Sequence, residues 1–304
     1  MKYVLHKWND MKINTSCAWL YAISKYSYVN TIETIYSAIK DMAKLNYKAI
    51  ELETIRDENM KAQVENKKPL KELIDSLGLK VINLCAVNEA LLRPGWEKHV
   101  DFFKKSAELA VFLGSPMIQL DSFIPPLKFT GEAPYKDSIK FGLSMKIEVD
   151  PNFHWEKHWQ ILVDSITKCD KIAQDFGLKL CMEPRVGETI ANSDAILRLM
   201  DWVKSDNFGA VLDTGHLNGG KEVIPVSAEK LNKKIFYVHA SDNDSKDNRH
   251  LGLGKGNIDW EGLLKVLKKY KYNGYIAMDI GNIPDLDAEN IRSVKFLEEI
   301  ASKL

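Results

Sequence analysis

The chain has 304 residues, 45% of them hydrophobic, and its 42 Lys plus Arg balance 42 Asp plus Glu for a formal net charge of zero. That balance argues against a nucleic-acid partner, because such binders carry a basic surplus, and the longest apolar runs are far shorter than a membrane span. The opening MKYVLHKWNDMK has no apolar core of a signal peptide, so the expectation is a cytoplasmic protein with one large α/β domain over residues 1–304.

Taken in chain order, the first predicted strand is KINTSCAW (12–19), followed by the helical pattern TIETIYSAIKDMAKL (31–45). Strands YKAIELET (47–54) and LKVINLCAV (79–87) come next, then the helix EKHVDFFKKSAELAVFLG (97–114) and the strand PMIQLDS (116–122). After a long connection the helix EKHWQILVDSITKCDKIAQDFG (156–177) leads into four strand-like runs: LKLCMEP (178–184), FGAVLDTGH (208–216), KIFYVHASD (234–242) and GYIAMDIG (274–281). A final helix, DAENIRSVKFLEEIASKL, fills 287–304. The helical stretches carry apolar residues every three or four positions, as a helix lying on a sheet does. The strand runs are too apolar for a solvated sheet and look like parallel strands buried on both faces. Gly78, Gly114 and Gly177 each stand where a left-handed C-terminal cap would stop a helix. Eight strands alternating with helices is the count of a (β/α)8 TIM barrel, with its functional face at the C-terminal strand ends. An open doubly wound sheet is the competing arrangement, but no GxGxxG follows the first strand.

The connection after the fourth strand, about 123–154, is out of proportion at roughly thirty residues and holds four of the ten prolines. Loops of that length inside compact domains are commonly lids or interface elements. The expectation is therefore a lid or a subunit contact, compatible with a homo-oligomer, with KFGLSMKIEVD (140–150) as a short hairpin. The four cysteines, Cys17, Cys85, Cys169 and Cys181, share no CxxC spacing and read as small buried hydrophobes.

Chemistry concentrates where four of the runs end, at Glu183, Asp213, His239 and Asp279. A parallel sheet puts all its C-terminal strand ends on one side, so these groups converge. Carboxylates plus an imidazole suit one divalent cation of the Mn2+, Mg2+, Co2+ or Zn2+ type, with Mn2+ placed first. Side chains alternate along a strand, so Cys181 and Glu183 share a face that Met182 does not. In LDTGH, Asp213 and His216 flank a turn opened by Gly215; a buried polar pair of this kind needs partners. Any of the four taken singly fits a salt bridge, a cap or a satisfied core histidine, and the coincidence of four strand ends is what favours a site. Glu51 and Glu53 share one face of the second strand, with Glu53 nearer the mouth and better placed for substrate hydroxyls. Trp19, Asn88 and Gln119 are candidates for an apolar wall and further hydrogen bonds. GLGKGN (252–257) lacks the spacing of a phosphate loop, and Asp259 behind it reads as a helix N-cap.

MEP, LDTGH, VHASDN with RHLGLGKGNIDW, and the acidic end of the eighth strand together resemble the sugar phosphate isomerase/epimerase family with a xylose isomerase-like barrel. The resemblance implies a metal-dependent enzyme acting on a small carbohydrate. Its single divalent cation would be held by Glu183, Asp213, His239 and Asp279, with Glu183 and Asp279 also catalytic and His216 and Arg249 contacting substrate. Aspartate at position 279 departs from the glutamate of that pattern. Such a site supports proton transfer through an enediolate, hence epimerisation or aldose–ketose isomerisation; expulsion of a β-hydroxyl would make it a dehydratase of an inosose or sugar acid instead. Endonuclease IV-type enzymes share the barrel, but they need histidines at the third and fourth strand ends, which here read INLCAVNE and IQLDSF. A non-catalytic sugar-binding barrel is the remaining alternative, favoured only if Asp279 cannot serve.

Overall fold

The computed structural model describes residues 13–130 and 146–304. Its strands are β1 (Asn14–Cys17), β2 (Ala49–Ile55), β3 (Lys80–Val87), β4 (Met117–Asp121), β5 (Lys128–Phe129), β6 (Ile147–Glu148), β7 (Lys179–Glu183), β8 (Phe208–Asp213), β9 (Ile235–Ala240) and β10 (Tyr275–Met278). All but β5 and β6 close into one parallel barrel, in which β4 pairs with β7 and β10 returns to β1. This is the (β/α)8 TIM barrel expected from the alternation of short apolar runs with amphipathic helices.

Period-two alternation divides the apolar residues into two cores. One side of each strand, including Ile50, Leu84, Ile118, Leu180, Leu212, Val238 and Met278, packs against the surrounding helices in the main cluster. The other side fills the lumen with Ala18, Ala49, Ile82, Cys181, Val211, Tyr237 and Ala277. Cys181, Val211, Tyr237 and Ala277 each lie two residues below the polar group at the end of their strand, so the barrel is apolar below and acidic above. Each fully buried Leu or Ile in the outer core contributes about 1.5–3 kcal/mol of transfer free energy, and this layer holds the acidic layer in place. Registers complete the alignment: Asp213 stands beside His239, and Asp121 beside Glu183. The first of these follows a register shift at Ala210/Val211, and β2 carries another at Ile50/Glu51. Irregularities of this kind re-aim the side chains that follow them.

The helices end as the glycines predict: Gly78, Gly114 and Gly177 all have positive φ, at 66°, 84° and 70°. Several short helices escaped the sequence reading, among them Arg56–Glu65, Lys67–Ser76 and Ile224–Leu231. The first of these has almost no amphipathic pattern to detect, being polar along most of its length. In the connection after β4, Ile147–Glu148 pairs antiparallel with Lys128–Phe129, and 140–145 of the hairpin expected over 140–150 lie outside the described residues. All four cysteines are buried and unpaired. No helix among the described residues is long and apolar enough to cross a membrane.

At Gly114 an added Cβ would meet nothing within 4 Å, so a substitution there tests backbone conformation alone. Gly114→Ala should lower stability by about 1 kcal/mol and Gly114→Asn by less, because asparagine tolerates the left-handed region. Urea denaturation of the two variants measures the difference; equal midpoints for wild type and Gly114→Ala would contradict it.

Candidate metal centre

Each cluster residue is placed by its strand end. Glu183 is the last residue of β7, and Pro184 behind it cannot donate to the ladder. Asp213 ends β8 and caps the short helix Thr214–Gly219, its Oδ1 accepting from the His216 backbone N–H at 2.6 Å. That turn folds His216 back over the lumen. Glycine suits that turn, since a Cβ at Gly215 would crowd Ser241 Oγ. His239 stands on β9, with Tyr237 packed edge-on at 5.0 Å between ring centroids. Asp279 follows β10 directly, its N–H donating to the Ala240 carbonyl at 2.9 Å.

His239 Nδ1 lies 2.8 Å from Glu183 Oε1 and 3.8 Å from Asp213 Oδ2, while its Nε2 lies 3.0 Å from Glu51 Oε2. Potential ligand atoms of Asp213, His239 and Asp279 lie within 4.8 Å of one another, as do those of Glu183, Asp213 and His216. Asp213 belongs to both groups, and its Oδ2 is buried with no hydrogen-bond partner. A buried acceptor left unmet costs about 1–3 kcal/mol, more when charged. An oxygen in that condition, ringed by two more carboxylates and an imidazole, fits a divalent cation.

Electrostatics agree. Burial pushes the Asp213 carboxyl well above the usual carboxylate range, reinforced by Glu183 and Asp279. Burial also acts against an ionised Glu183, but the His239 imidazole beside it more than offsets this and holds Glu183 well below its ordinary value. Burial would discharge His239, yet Glu51 and Glu183 on its two nitrogens raise it well above an ordinary histidine. His216 is depressed, first by burial and then by Arg185.

Two residues passed over in the sequence complete the surroundings. Arg185, two positions after Glu183, sets Nη1 2.9 Å from Asp121 Oδ2 and 3.6 Å from Glu188 Oε1, and Nε 3.6 Å from Glu183 Oε2 and 3.3 Å from His216 Nε2. Its spacing from Glu183 was the available signal. His250 Nδ1 lies 2.9 Å from Asp279 Oδ2 and 3.1 Å from the Asp279 carbonyl, held there by a bridge between His250 and Gly281. In RHLG the sequence points to Arg249, and the structure brings the neighbouring His250 to the cluster. Arg249 is exposed and paired with Asp247 at 2.9 Å, so its side chain lies outside the buried cluster. An odd offset along an extended segment explains it, because adjacent side chains point apart.

The remaining candidates divide. Glu53 is partly buried on the lumen side, its carboxyl raised well above the ordinary range by burial and then by Glu51 and Asp121. Trp19 is buried, and its backbone N–H donates to Glu51 Oε1 at 3.2 Å. Asn88 caps the turn Glu89–Leu92 by accepting from the Ala90 N–H, a local role. Gln119 reaches the lumen network through Asn83. GLGKGN wraps a protein carboxylate: Asp242 accepts from the N–H groups of Asn243, Gly254 and Ile258 and from Trp260 Nε1. Asp259 is the expected N-cap, accepting from the Gly262 N–H.

A closed parallel barrel with buried carboxylates and imidazoles gathered at its C-terminal mouth defines the class to which this chain should be compared. Residues 39–300 match the family described as xylose isomerase-like TIM barrel, and the chain belongs to that family. Over 154 residues it is 28% identical to the uncharacterised protein MJ1311 of Methanocaldococcus jannaschii, covering 48% of this chain and 51% of that one. Over 146 residues it is 26% identical to the inosose dehydratase of Clostridium beijerinckii, covering 42% and 49%. The chain thus spans about half the length of the curated relatives it matches. A solved D-tagatose 3-epimerase-like protein superposes with a TM-score of 0.72 at 21% identity, covering 95% of this chain and 97% of that one. L-ribulose 3-epimerase does so with a TM-score of 0.71 at 17% identity, covering 96% of each. At such identities the likeness establishes the fold.

Ligation needs lone pairs on Asp213 and His239, and both groups hold their protons above the ordinary range. Cation and proton therefore compete: binding should release protons and weaken roughly tenfold or more between about pH 7.5 and about pH 5.5. Calorimetric titration with Mn2+ in buffers of different ionisation enthalpy reads both effects. A pH-independent affinity without proton release would contradict the assignment.

Proposed function

We propose that this chain is a divalent-metal-dependent isomerase or epimerase acting on a sugar, sugar phosphate or related polyol ketone by proton transfer through an enediolate. The reading treats the whole chain as one barrel domain with 123–154 as an insertion, a small carbohydrate as its partner, and Mn2+ as the first choice of cation. The observation that carries it is the Glu183 carboxylate 2.8 Å from His239 Nδ1, with a second carboxylate, Asp279, three strands further round the mouth.

A cation held by Glu183, Asp213, His239 and Asp279 would stabilise negative charge developing on adjacent oxygens of a hydroxyketone. The protein's own groups do the rest. Glu183, kept ionised, is the base that removes the proton from the carbon next to the carbonyl. Asp279, whose Oδ2 lies 2.9 Å from His250 Nδ1, would take a proton through His250 and deliver it from the other flank of His239, while Glu183 passes the abstracted proton to solvent. Return to the same carbon on the opposite face gives epimerisation; return to the neighbouring carbon gives isomerisation. In this reading His216 and Glu53 would contact substrate hydroxyls, and the partly buried Arg185 balances the carboxylates around it.

A second reading, dehydration of an inosose, draws support from the sequence relatives that carry the name inosose dehydratase. It uses the same base and differs in that a β-hydroxyl leaves before the proton is returned.

Incubation in D2O with Mn2+ and a panel of ketoses and inososes separates these outcomes by mass spectrometry and NMR. Exchange of a carbon-bound hydrogen with a new epimer or isomer supports the first reading, and loss of water the second. Glu183→Gln should abolish exchange by at least about a thousandfold, as removal of a ligand that is also the base demands. Asp279→Asn should weaken metal binding and exchange together, each by about tenfold to a hundredfold. If Asp279→Asn leaves both untouched, Asp279 has no part in the site.

A further inference from the structure

We propose that Glu51 is a positioning residue for the metal centre, holding His239 in the tautomer that carries its proton on Nε2 and so leaving Nδ1 as the nitrogen presented to the ligand cluster. The proposal rests on the metal-dependent reading above and adds a residue outside the four ligands to it.

Glu51 is buried on β2, immediately after the register shift at Ile50/Glu51. β2 and β9 are not neighbours in the barrel, so the contact from Glu51 Oε2 to His239 Nε2 at 3.0 Å crosses the lumen. The other partners of this carboxylate are all donors: the Trp19 N–H reaches Oε1 at 3.2 Å, and Asn83 Nδ2 reaches Oε2 at 2.8 Å. Asn83 is itself fixed, since its second amide hydrogen goes to Gln119 Oε1 at 2.8 Å. An ionised carboxylate only accepts, so the place left for His239 Nε2 is that of a donor. Nδ1 also faces a carboxylate, 2.8 Å from Glu183 Oε1 and 3.8 Å from Asp213 Oδ2, but it is the nitrogen inside the ligand cluster; once a cation displaces its proton, an imidazole that donates from Nε2 has its lone pair there.

The ring has little freedom to choose otherwise. Tyr237 packs edge-on against it, and the Tyr237 hydroxyl is tied to Ser16 Oγ at 3.1 Å. Gln119, Asn83 and Glu51 thus form a hydrogen-bonded chain from β4 through β3 and β2 to the imidazole. Metal-ligating histidines commonly donate their second nitrogen to a carboxylate, and loss of that partner weakens metal binding by about tenfold to a hundredfold. A carboxylate that served only to satisfy buried donors would affect folding and leave metal affinity per folded molecule unchanged.

Two substitutions separate these roles. Glu51→Gln keeps the volume but sets an amide NH2 against either the Trp19 N–H or the donors at Oε2; where NH2 meets Nε2 the imidazole must move its proton to Nδ1. Glu51→Ala removes the partner. Calorimetry with Mn2+ on the full chain, referred to the folded fraction from circular dichroism, should show the dissociation constant rising about tenfold to a hundredfold for Glu51→Ala and by less for Glu51→Gln. In the Mg2+-loaded protein, 15N spectra of labelled histidine should show His239 protonated on Nε2 in wild type and shifted toward Nδ1 in Glu51→Gln. Wild-type Mn2+ affinity in Glu51→Gln, with an unaltered His239 tautomer, overturns the proposal while leaving the proposed function standing. A wild-type protein that binds neither Mn2+ nor Mg2+ overturns both. If Glu51→Ala does not fold, Glu51→Gln decides alone.

Discussion

Carboxylates are poorly tolerated out of water unless positive charge or hydrogen-bond donors meet them, and the mouth of this barrel buries Glu51, Asp121, Glu183, Glu188, Asp213 and Asp279 together. Much of the local structure answers that one constraint. Arg185 is shared among Asp121, Glu183 and Glu188. His239 lies between Glu51 and Glu183, and His250 covers Asp279. Backbone N–H groups of Ser122 and Phe123 go to Glu188, whose carboxyl burial pushes up to about 7. Asp213 Oδ2 is left over, and Asp213 is the residue that the two potential ligand groups share.

The loops serve the same end. Asp242 gathers the N–H groups of the glycine-rich segment after β9, which fixes the path of the chain through His250 to Gly254. Glu188 fixes the first residues after β4, where Phe123 adopts φ of 57°. Left-handed backbone at a phenylalanine is strained, and the Glu188 contacts hold it there. The start of the long connection is therefore tied through Arg185 to the cluster, so substitutions at Glu188 and Arg185 reach both.

A rigid, apolar outer core makes this acidity tolerable. Side chains between strands and helices hold the strand ends in register, and the lumen below the mouth is filled by apolar side chains. The acidic groups thus meet each other at fixed separations. A cation site with that degree of preorganisation binds without first ordering its ligands.

Much of this was legible in the amino-acid sequence. Apolar runs of strand length alternating with amphipathic helices implied a closed parallel barrel, and period two then placed Glu183, Asp213, His239 and Asp279 at one mouth. Local chemistry was equally readable: glycine caps at Gly78, Gly114 and Gly177, and the Asp259 N-cap, depend on neighbouring residues alone. Contacts across the lumen were not, because residue spacing carries no information about which strands face one another. Glu51 and His239 are 188 positions apart and meet because the barrel closes, and the choice of His250 over Arg249 was made by a bridge to Gly281 that no local pattern announces. The sequence by itself determined the fold and which residues stand at strand ends, since both follow from periodicity; which charges meet, and which buried oxygen is left without a partner, was decided only by the tertiary structure, since that depends on closure, register and the paths of loops.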